Sequence, residues 1–144
     1  MINDMLLKGK HIFIVEDNVQ NRVIFQMTLV RHGALVDFER LGNNTVYRLK
    51  NLSWAVDLII LDLMLANAIS GFTLIGEIRA LANLAAVPII AVSAMDPAIA
   101  IPEARAKGFT GFIAKPINNK LFPQQIARII NGEQIWSSGE RWAT

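Results

Sequence analysis

The stretch IFIVEDN, residues Ile12 to Asn18, is a run of four apolar residues that ends in two adjacent carboxylates and an amide. Four consecutive apolar residues are typical of a strand that is buried on both faces, as in a parallel sheet. The two like charges repel each other, so they need a neighbouring cation or a solvated position. This stretch therefore predicts a covered parallel sheet and a charged position at the carboxyl end of one strand.

The rest of the chain has the composition of one compact domain. It has 144 residues, of which 53% are hydrophobic and 18% are charged. These proportions favour a single core with several elements that are buried on both faces. We predict a domain over residues 1–132 and a short C-terminal tail over residues 133–144, which is too short to form a second domain.

Charge and residue usage exclude several classes of protein. The formal net charge is +2 and the basic residues are scattered, so no clustered basic face for nucleic acid is predicted. The chain has no cysteine and its start does not resemble a secretory signal, so we expect a cytoplasmic protein. The longest uncharged run, Ala80 to Met95, is shorter than the roughly 20 residues of a bilayer span. No membrane helix is predicted.

Apolar runs alternate with segments of helical spacing along the chain. This alternation predicts a three-layer α/β/α sandwich of the flavodoxin-like class, with a five-stranded parallel sheet in the order 2-1-3-4-5. The five predicted strands are His11–Val15, Ala34–Phe38, Asp57–Leu61, Pro88–Val92 and Gly111–Ala114.

Apolar spacing and proline positions allow more specific predictions for two of the helices. The first is expected over Val19–His32, and its apolar spacing suggests an inner face made of Val23, Met27 and Val30. In the fourth, Pro102 follows Pro97 by five residues and disfavours a continuous helix. We therefore expect an irregular segment followed by a helix that begins at Pro102.

Polar residues follow four of the five predicted strands. They are Glu16 and Asp17 after the first, Asp62 after the third, Ser93 on the fourth and Lys115 after the fifth. Each alone has an ordinary explanation, such as a helix-start acid pair or a solvated surface charge. Because ligands bind beyond the carboxyl ends of parallel strands, their coincidence at one edge predicts a functional site.

The chemistry of these residues suggests phosphoryl transfer. Three carboxylates close together need a cation, and oxygen ligands without histidine or cysteine suit Mg²⁺. With Mg²⁺ and Lys115 neutralising charge, Asp62 could attack a phosphorus centre and become an acyl phosphate. The hydroxyl of Ser93 could then bond to a phosphoryl oxygen, and its movement would give a two-state element.

These motifs resemble a known family. The segments VEDN, IILDLML, IIAVSAM and FIAKPI, within residues 10–131, resemble the receiver domain of two-component response regulators in order and spacing. The resemblance implies that a sensor histidine kinase or a phosphotransfer protein phosphorylates Asp62. It also implies a Mg²⁺ site made of Asp17, Asp62 and the backbone carbonyl of Met64, with support from Glu16. In the same way it implies that Ser93 is a switch hydroxyl, Lys115 contacts the phosphoryl group, Phe112 is a rotating aromatic and Lys115-Pro116 is a cis bond.

The sequence also departs from the family pattern. The proline that commonly follows the acceptor aspartate by four residues is Ala66 here, and the following loop reaches Gly71 one residue late. In addition, the segment PAIAIP places apolar residues on the face formed by the fourth helix, fifth strand and fifth helix. We expect a homodimer or an output protein to bind this face.

Three other classes of protein compete with this interpretation. A pseudo-receiver that binds proteins without phosphorylation would keep the fold, but the complete set of polar residues argues against it. A haloacid-dehalogenase-type phosphatase would carry a second aspartate two residues after its nucleophile, where this chain has Met64. A flavin-binding protein would have a phosphate-cradling loop after the first strand, which EDNVQN does not resemble.

Overall fold

The computed structural model describes residues 5–139 and contains one parallel sheet of six strands in the order β2-β1-β3-β4-β5-β6. The three-layer architecture and the order of the first five strands are confirmed, whereas the predicted number of strands was one too few. The strands are β1 (His11–Val15), β2 (Leu35–Glu39), β3 (Leu58–Leu61), β4 (Ile89–Ser93), β5 (Gly111–Ala114) and β6 (Ile135–Ser137).

Within residues 5–139, five α-helices cover the two faces of the sheet. They are α1 (Val19–Val30), α2 (Thr45–Lys50), α3 (Gly71–Arg79), α4 (Pro97–Ala106) and α5 (Leu121–Ile130). Successive strand residues point to opposite faces, so Ile12 and Ile14 pack with α1 and α5, while Phe13 and Val15 pack with α2, α3 and α4. Among residues 5–139, no helix is long and apolar enough to cross a membrane.

The buried face of α1 differs from the prediction. Phe25 and Leu29 are buried, and the Phe25 ring stacks on Phe122 of α5 at a centroid distance of 5.7 Å. The three residues that we expected to face inward, Val23, Met27 and Val30, are exposed. This helix carries apolar residues on two faces, and spacing alone cannot decide which of them meets the sheet.

Helix α4 is continuous from Pro97 to Ala106, so the predicted break before Pro102 was wrong. Pro97 occupies the first turn, where the missing N–H costs nothing, and Asp96 caps the helix by accepting a hydrogen bond from the Ala98 N–H at 3.0 Å. Ala100 and Ala104 are fully buried on either side of Pro102. Their packing outweighs the single backbone hydrogen bond that Pro102 cannot donate.

The sixth strand lies in the predicted C-terminal tail. It pairs with β5 in the register Gly111↔Ile135, Phe112↔Trp136 and Ile113↔Ser137. A Cβ on Gly111 would lie 2.7 Å from the Ile135 carbonyl oxygen, so the glycine permits this close approach. The Trp136 ring packs against the core, and the Arg105 guanidinium carbon lies over the ring at 4.4 Å from the ring centroid. The second tail tryptophan, Trp142, lies outside the described residues.

Candidate functional site

The carboxyl ends of β1 and β3 bring the predicted acidic residues together. Val15 and Leu61 are register partners at the ends of the two strands. The N–H of the next residue, Asp62, donates a hydrogen bond to the Val15 carbonyl at 3.1 Å. The two strands are adjacent and parallel, so Glu16 and Asp62 leave the sheet side by side. Carboxylate oxygens of Glu16, Asp17 and Asp62 lie within 4.8 Å of one another.

Lys115 reaches this cluster from the carboxyl end of β5. Its Nζ donates to Glu16 Oε1 at 2.7 Å and to Asp62 Oδ2 at 2.9 Å. The side chains of Lys115, Glu16 and Asp62 are only 13%, 1% and 7% exposed. The Lys115-Pro116 bond is cis, as the resemblance implied. One ammonium group therefore bridges two buried carboxylates.

Burial and pairing have opposite effects on these charges. Burial raises the pKa of Glu16, and the contacts with Lys115 do not fully reverse that rise. Burial by itself would lower the pKa of Lys115, but the hydrogen bond to Glu16 and the charge of Asp62 together raise it above its ordinary value. Lys115 consequently stays charged at neutral pH.

The donor set of this site fits a hard divalent cation. The cluster consists of the carboxylates Glu16, Asp17 and Asp62, and oxygen ligands of this kind are those that Mg²⁺ prefers. Their mutual repulsion exceeds what the single Lys115 ammonium can neutralise, which favours a bound cation. Met64, whose carbonyl the resemblance implied as a ligand, donates its own N–H to Asp62 Oδ1 at 3.1 Å. The residues present therefore fit Mg²⁺.

Ser93 and Phe112 occupy the interior beside the site. Ser93 is fully buried at the end of β4, and its Oγ accepts a hydrogen bond from the Met95 N–H at 3.2 Å. The backbone N–H of Lys115 donates to the Ser93 carbonyl at 2.9 Å, which ties the end of β4 to that of β5. Phe112 is also fully buried, within the core that α2, α3 and α4 cover. The structure thus places Ser93 and Lys115 at one edge and Phe112 inside the core behind it.

The loop after β3 contains a contact that sequence reasoning missed. The Ala66 N–H donates to Asp17 Oδ2 at 2.7 Å. A proline at this position would have no N–H, so the departure from the family pattern makes this contact available. Asn67 and Ala68 follow with φ of 61° each, in the left-handed region that side chains rarely adopt. The only signal in the sequence was the missing proline.

Gly71 was noted in the sequence only as the end of the loop after β3, and its steric role was not predicted. It begins α3 directly beside the backbone at the end of β3. A Cβ at this position would lie 2.5 Å from the Asp62 carbonyl oxygen and 3.1 Å from Leu63 Cα. The absence of a side chain is therefore required for the close approach of the α3 start to Asp62.

Helix α1 supplies further contacts to Glu16 that spacing did not indicate. Glu16 Oε2 accepts hydrogen bonds from the Asn18 N–H at 3.1 Å and from Asn21 Nδ2 at 3.4 Å. Arg22 Nη1 donates to the Glu16 carbonyl at 3.0 Å. The two bonds to Oε2 fix the orientation of a carboxylate that would otherwise be free to turn away from Lys115, and the Arg22 bond holds the Glu16 backbone.

Known proteins share this arrangement of elements. The family model for the response regulator receiver domain matches residues 12–127, which is more than half of the chain. One similar structure is the receiver domain of sensor histidine kinase PA1611 from Pseudomonas aeruginosa PAO1, which has a magnesium ion coordinated in its active site cleft. It is 27% identical to this chain, and the match covers 86% of this chain and 99% of that one, with a TM-score of 0.76. The chemotaxis response regulator CheY4 of Vibrio cholerae is 22% identical over 83% of this chain and 98% of its own, with a TM-score of 0.75. No curated protein matches the sequence significantly.

Proposed function

Because this chain belongs to the response regulator receiver family, we propose that it is a cytoplasmic phosphoacceptor receiver whose acceptor is Asp62. The phosphoryl donor is a sensor histidine kinase or a phosphotransfer protein. The observation that carries the proposal is the Asp62 carboxylate, which contacts the Lys115 ammonium and lies within the same cluster as the carboxylates of Glu16 and Asp17. We propose a signalling role rather than an enzymatic one, since the chemistry ends on the chain's own side chain.

The proposed step is an in-line displacement at phosphorus. A carboxylate oxygen of Asp62 forms a new P–O bond, while the P–N bond to the donor histidine breaks and the imidazole leaves with its electron pair. Lys115 then contacts the phosphoryl oxygens, because its ammonium already lies 2.9 Å from Asp62 Oδ2. Asp17, Asp62 and the Met64 carbonyl would hold Mg²⁺, with support from Glu16, and the ion would neutralise charge on the phosphoryl group.

We propose that Ser93 and Phe112 convert phosphorylation into a change of shape. The Ser93 hydroxyl accepts a hydrogen bond from Met95, which leaves its proton free to be donated to a phosphoryl oxygen. Movement of Ser93 toward that oxygen would alter the packing beside β4. Phe112 lies on the neighbouring strand, where its register partner is Ala91, two residues before Ser93, and it would respond by rotating within the core.

The test is the mass of the intact protein after incubation with Mg²⁺ and a small phosphodonor such as acetyl phosphate. The native chain should gain the mass of one phosphoryl group, and Asp62→Asn should gain none. A chain that gains no mass under any donor would be a pseudo-receiver. Continuous release of phosphate from a generic phosphate ester would instead support the phosphatase alternative.

We further propose that the surface formed by α4, β5 and α5 binds a second copy or an output protein. The Ile99 side chain on α4 is 63% exposed and offers an apolar contact. Strand β6 lies along β5, so a partner at this surface also meets β6. The proposed receiver unit therefore includes part of the tail.

Ile99→Glu is expected to abolish this association, because a buried unpaired charge at an interface is costly. Sedimentation with and without a phosphoryl mimic measures the effect. Tyr47→Glu on α2 is the matched control, since Tyr47 is similarly exposed but lies outside this surface. A native chain that remains monomeric in both states, and an Ile99→Glu variant that keeps all partner binding, would contradict the prediction.

Slow loss of the phosphoryl group is expected from the residues beside Asp62 and Ser93. Met64 and Met95, each two positions further on, would flank the acyl phosphate and offer no side-chain hydrogen bond to orient an attacking water. The double variant Met64→Asn, Met95→Asn should hydrolyse at least about tenfold faster, as measured by decay of the phosphorylated mass. Met27→Gln on the exposed side of α1 is the control. Equal lifetimes in all three proteins would mean that both methionines only pack.

Ala66→Pro should strengthen Mg²⁺ binding. The substitution removes the N–H that bonds to Asp17 Oδ2 and so frees that oxygen for a metal. Leu65 has an extended backbone with ψ of 165°, which suits a following proline. We expect about tenfold tighter binding by calorimetry, equal to about 1.4 kcal/mol. Ala66→Ser keeps the N–H and should bind Mg²⁺ as the native chain does. An unchanged affinity in Ala66→Pro would show that the bond and the metal are compatible.

A further inference from the structure

A cleft of about 390 Å³ lies beyond the carboxyl end of β2, and neither Lys115 nor Asp62 is among the residues that line it. Its volume is in the range of small-molecule sites, and its position is the edge at which open α/β sheets bind ligands. We propose that this cleft binds a small phosphorylated molecule of nucleotide size. The proposal goes beyond the phosphoacceptor function and does not depend on it. The residues that carry it are Arg22, Phe38, Glu39, Arg40, Asn43 and Arg48.

The cleft has more positive than negative charge. Three guanidinium groups line it, against the single carboxylate of Glu39. That carboxylate is buried and already accepts hydrogen bonds from the Leu41 and Gly42 N–H groups and from Thr45 Oγ1. It is therefore committed to the loop after β2. Of the three arginines, Arg48 is paired with Asp37, whereas Arg22 and Arg40 have no carboxylate partner within residues 5–139 and are available to an incoming anion.

Two of the arginines are held in place and still have donors to spare. Arg22 Nη1 donates to the Glu16 carbonyl at 3.0 Å. Arg48 donates to the Phe38 carbonyl through Nη1 and to Asp37 Oδ1 through Nη2 at 2.8 Å. A guanidinium has five N–H groups, so each keeps several that are unused. These bonds orient both groups before any ligand arrives, which lowers the cost of binding.

The rim of the cleft carries polar groups that have no partner within residues 5–139. Arg40 is exposed and makes no hydrogen bond or ion pair there, and the side-chain amide of Asn43 is equally free of hydrogen bonds. Both can turn toward a ligand without breaking an existing contact. Together with the fixed arginines, they could surround a phosphate group on several sides.

The chemistry favours a phosphorylated small molecule over other anions. Guanidinium forks match the tetrahedral oxygens of phosphate in a bidentate manner. Phe38 and Leu41 add apolar surface to the same cleft, which suits an organic group attached to the phosphate. A nucleic acid strand would need a longer basic stripe than these three arginines provide. The concave shape and small volume also suit a compact ligand better than a peptide.

Calorimetric titration with pyrophosphate and with adenosine monophosphate tests the proposal on the full chain. EDTA is present throughout, so that no metal-dependent binding at Asp62 contributes. The native chain should bind at least one of the two at a single saturable site. Arg40→Gln should weaken that binding at least tenfold, while Arg31→Gln should change it less than twofold. The two variants have the same net charge, and Arg31 is an exposed arginine at the end of α1, outside the cleft.

Several results would overturn the proposal. The first is that neither probe binds saturably to the native chain. The second is that Arg40→Gln and Arg31→Gln weaken probe binding equally. The third is that a decameric glutamate peptide binds more tightly than either phosphate probe. The last result would indicate an acidic protein partner instead. Asp62→Asn should bind the probes as the native chain does, because the cleft does not use Asp62. If the chain takes up no phosphoryl group in the mass experiment, the expected binding of the probes to the cleft is unchanged. The phosphoacceptor proposal and the cleft proposal can therefore fail separately.

Discussion

Replacing Lys115 by methionine is expected to lower the free energy of unfolding by about 3 kcal/mol at pH 7. The substitution leaves the buried carboxylates of Glu16 and Asp62 without the ammonium that contacts both of them. Removing one partner of a buried ion pair is costly because the remaining charges stay desolvated. Urea unfolding followed by circular dichroism measures the loss.

The loss should depend on pH and on Mg²⁺ in a defined direction. Burial already raises the pKa of Glu16 above 4.5, so the folded state favours its protonated form. The free energy of unfolding of the variant should therefore rise as the pH falls toward 4.5. Near that pH, Glu16 is protonated in the folded state and begins to be protonated in the unfolded state as well. In the native chain, the raised pKa of Lys115 means that its contribution is lost only when the pH rises above 10.5. Added Mg²⁺ should restore part of the lost stability at pH 7 by replacing the missing positive charge.

Lys107→Met provides the matched control. Lys107 is exposed at the end of α4 and lies outside the acidic cluster, so its replacement should change stability by less than about 0.5 kcal/mol. Equal effects of the two substitutions, or a Lys115→Met variant whose stability is the same at pH 5 and pH 7, would contradict the proposed electrostatic role of Lys115.

Gly71→Ala is expected to destabilise the protein by about 2 kcal/mol and to slow phosphorylation of Asp62. The added methyl group would lie 2.5 Å from the Asp62 carbonyl oxygen, so either the start of α3 or the end of β3 must move. Movement of β3 would displace the Asp62 carboxylate from its contact with Lys115. Thermal unfolding and the rate of mass gain with a small phosphodonor measure the two effects.

The same helix contains a control for this substitution. A Cβ on Gly76 would meet no atom within 4 Å. Gly76→Ala should therefore stabilise the protein by about 0.5 to 1 kcal/mol, because alanine is the better helix former, and should leave the phosphorylation rate unchanged. Destabilisation by both substitutions, or normal phosphorylation of Gly71→Ala, would mean that the close approach to Asp62 is not required.

Much of the fold could be predicted because one physical rule governs it. A strand that is covered on both faces must be apolar throughout, and the runs ending at Val15, Leu61 and Val92 obey that rule. Polar residues then concentrate where the strands end. The same rule explains why Asp62 and Lys115 were identified although they are 53 residues apart in the sequence.

The remaining features depend on contacts between distant elements. Whether Phe25 or Val23 faces the sheet is decided by the fit of α1 against Phe122, and periodicity does not contain that information. Continuity of α4 across Pro102 likewise follows from burial of the flanking alanines. The requirement for glycine at position 71 arises only when α3 begins beside Asp62, and the Ala66 contact with Asp17 depends on the path of a loop with left-handed residues.

Strand β6 also affects how the sheet meets other molecules. Without it, β5 would present a row of unpaired backbone N–H and C=O groups, which is a template for strand addition by a neighbouring chain. Trp136 and Ser137 cover that row, and β6 is itself only three residues long, so it offers little backbone for further pairing. Strand β6 thus pairs a β5 border that would otherwise be open, and we expect a chain shortened to Gly132 to self-associate more readily.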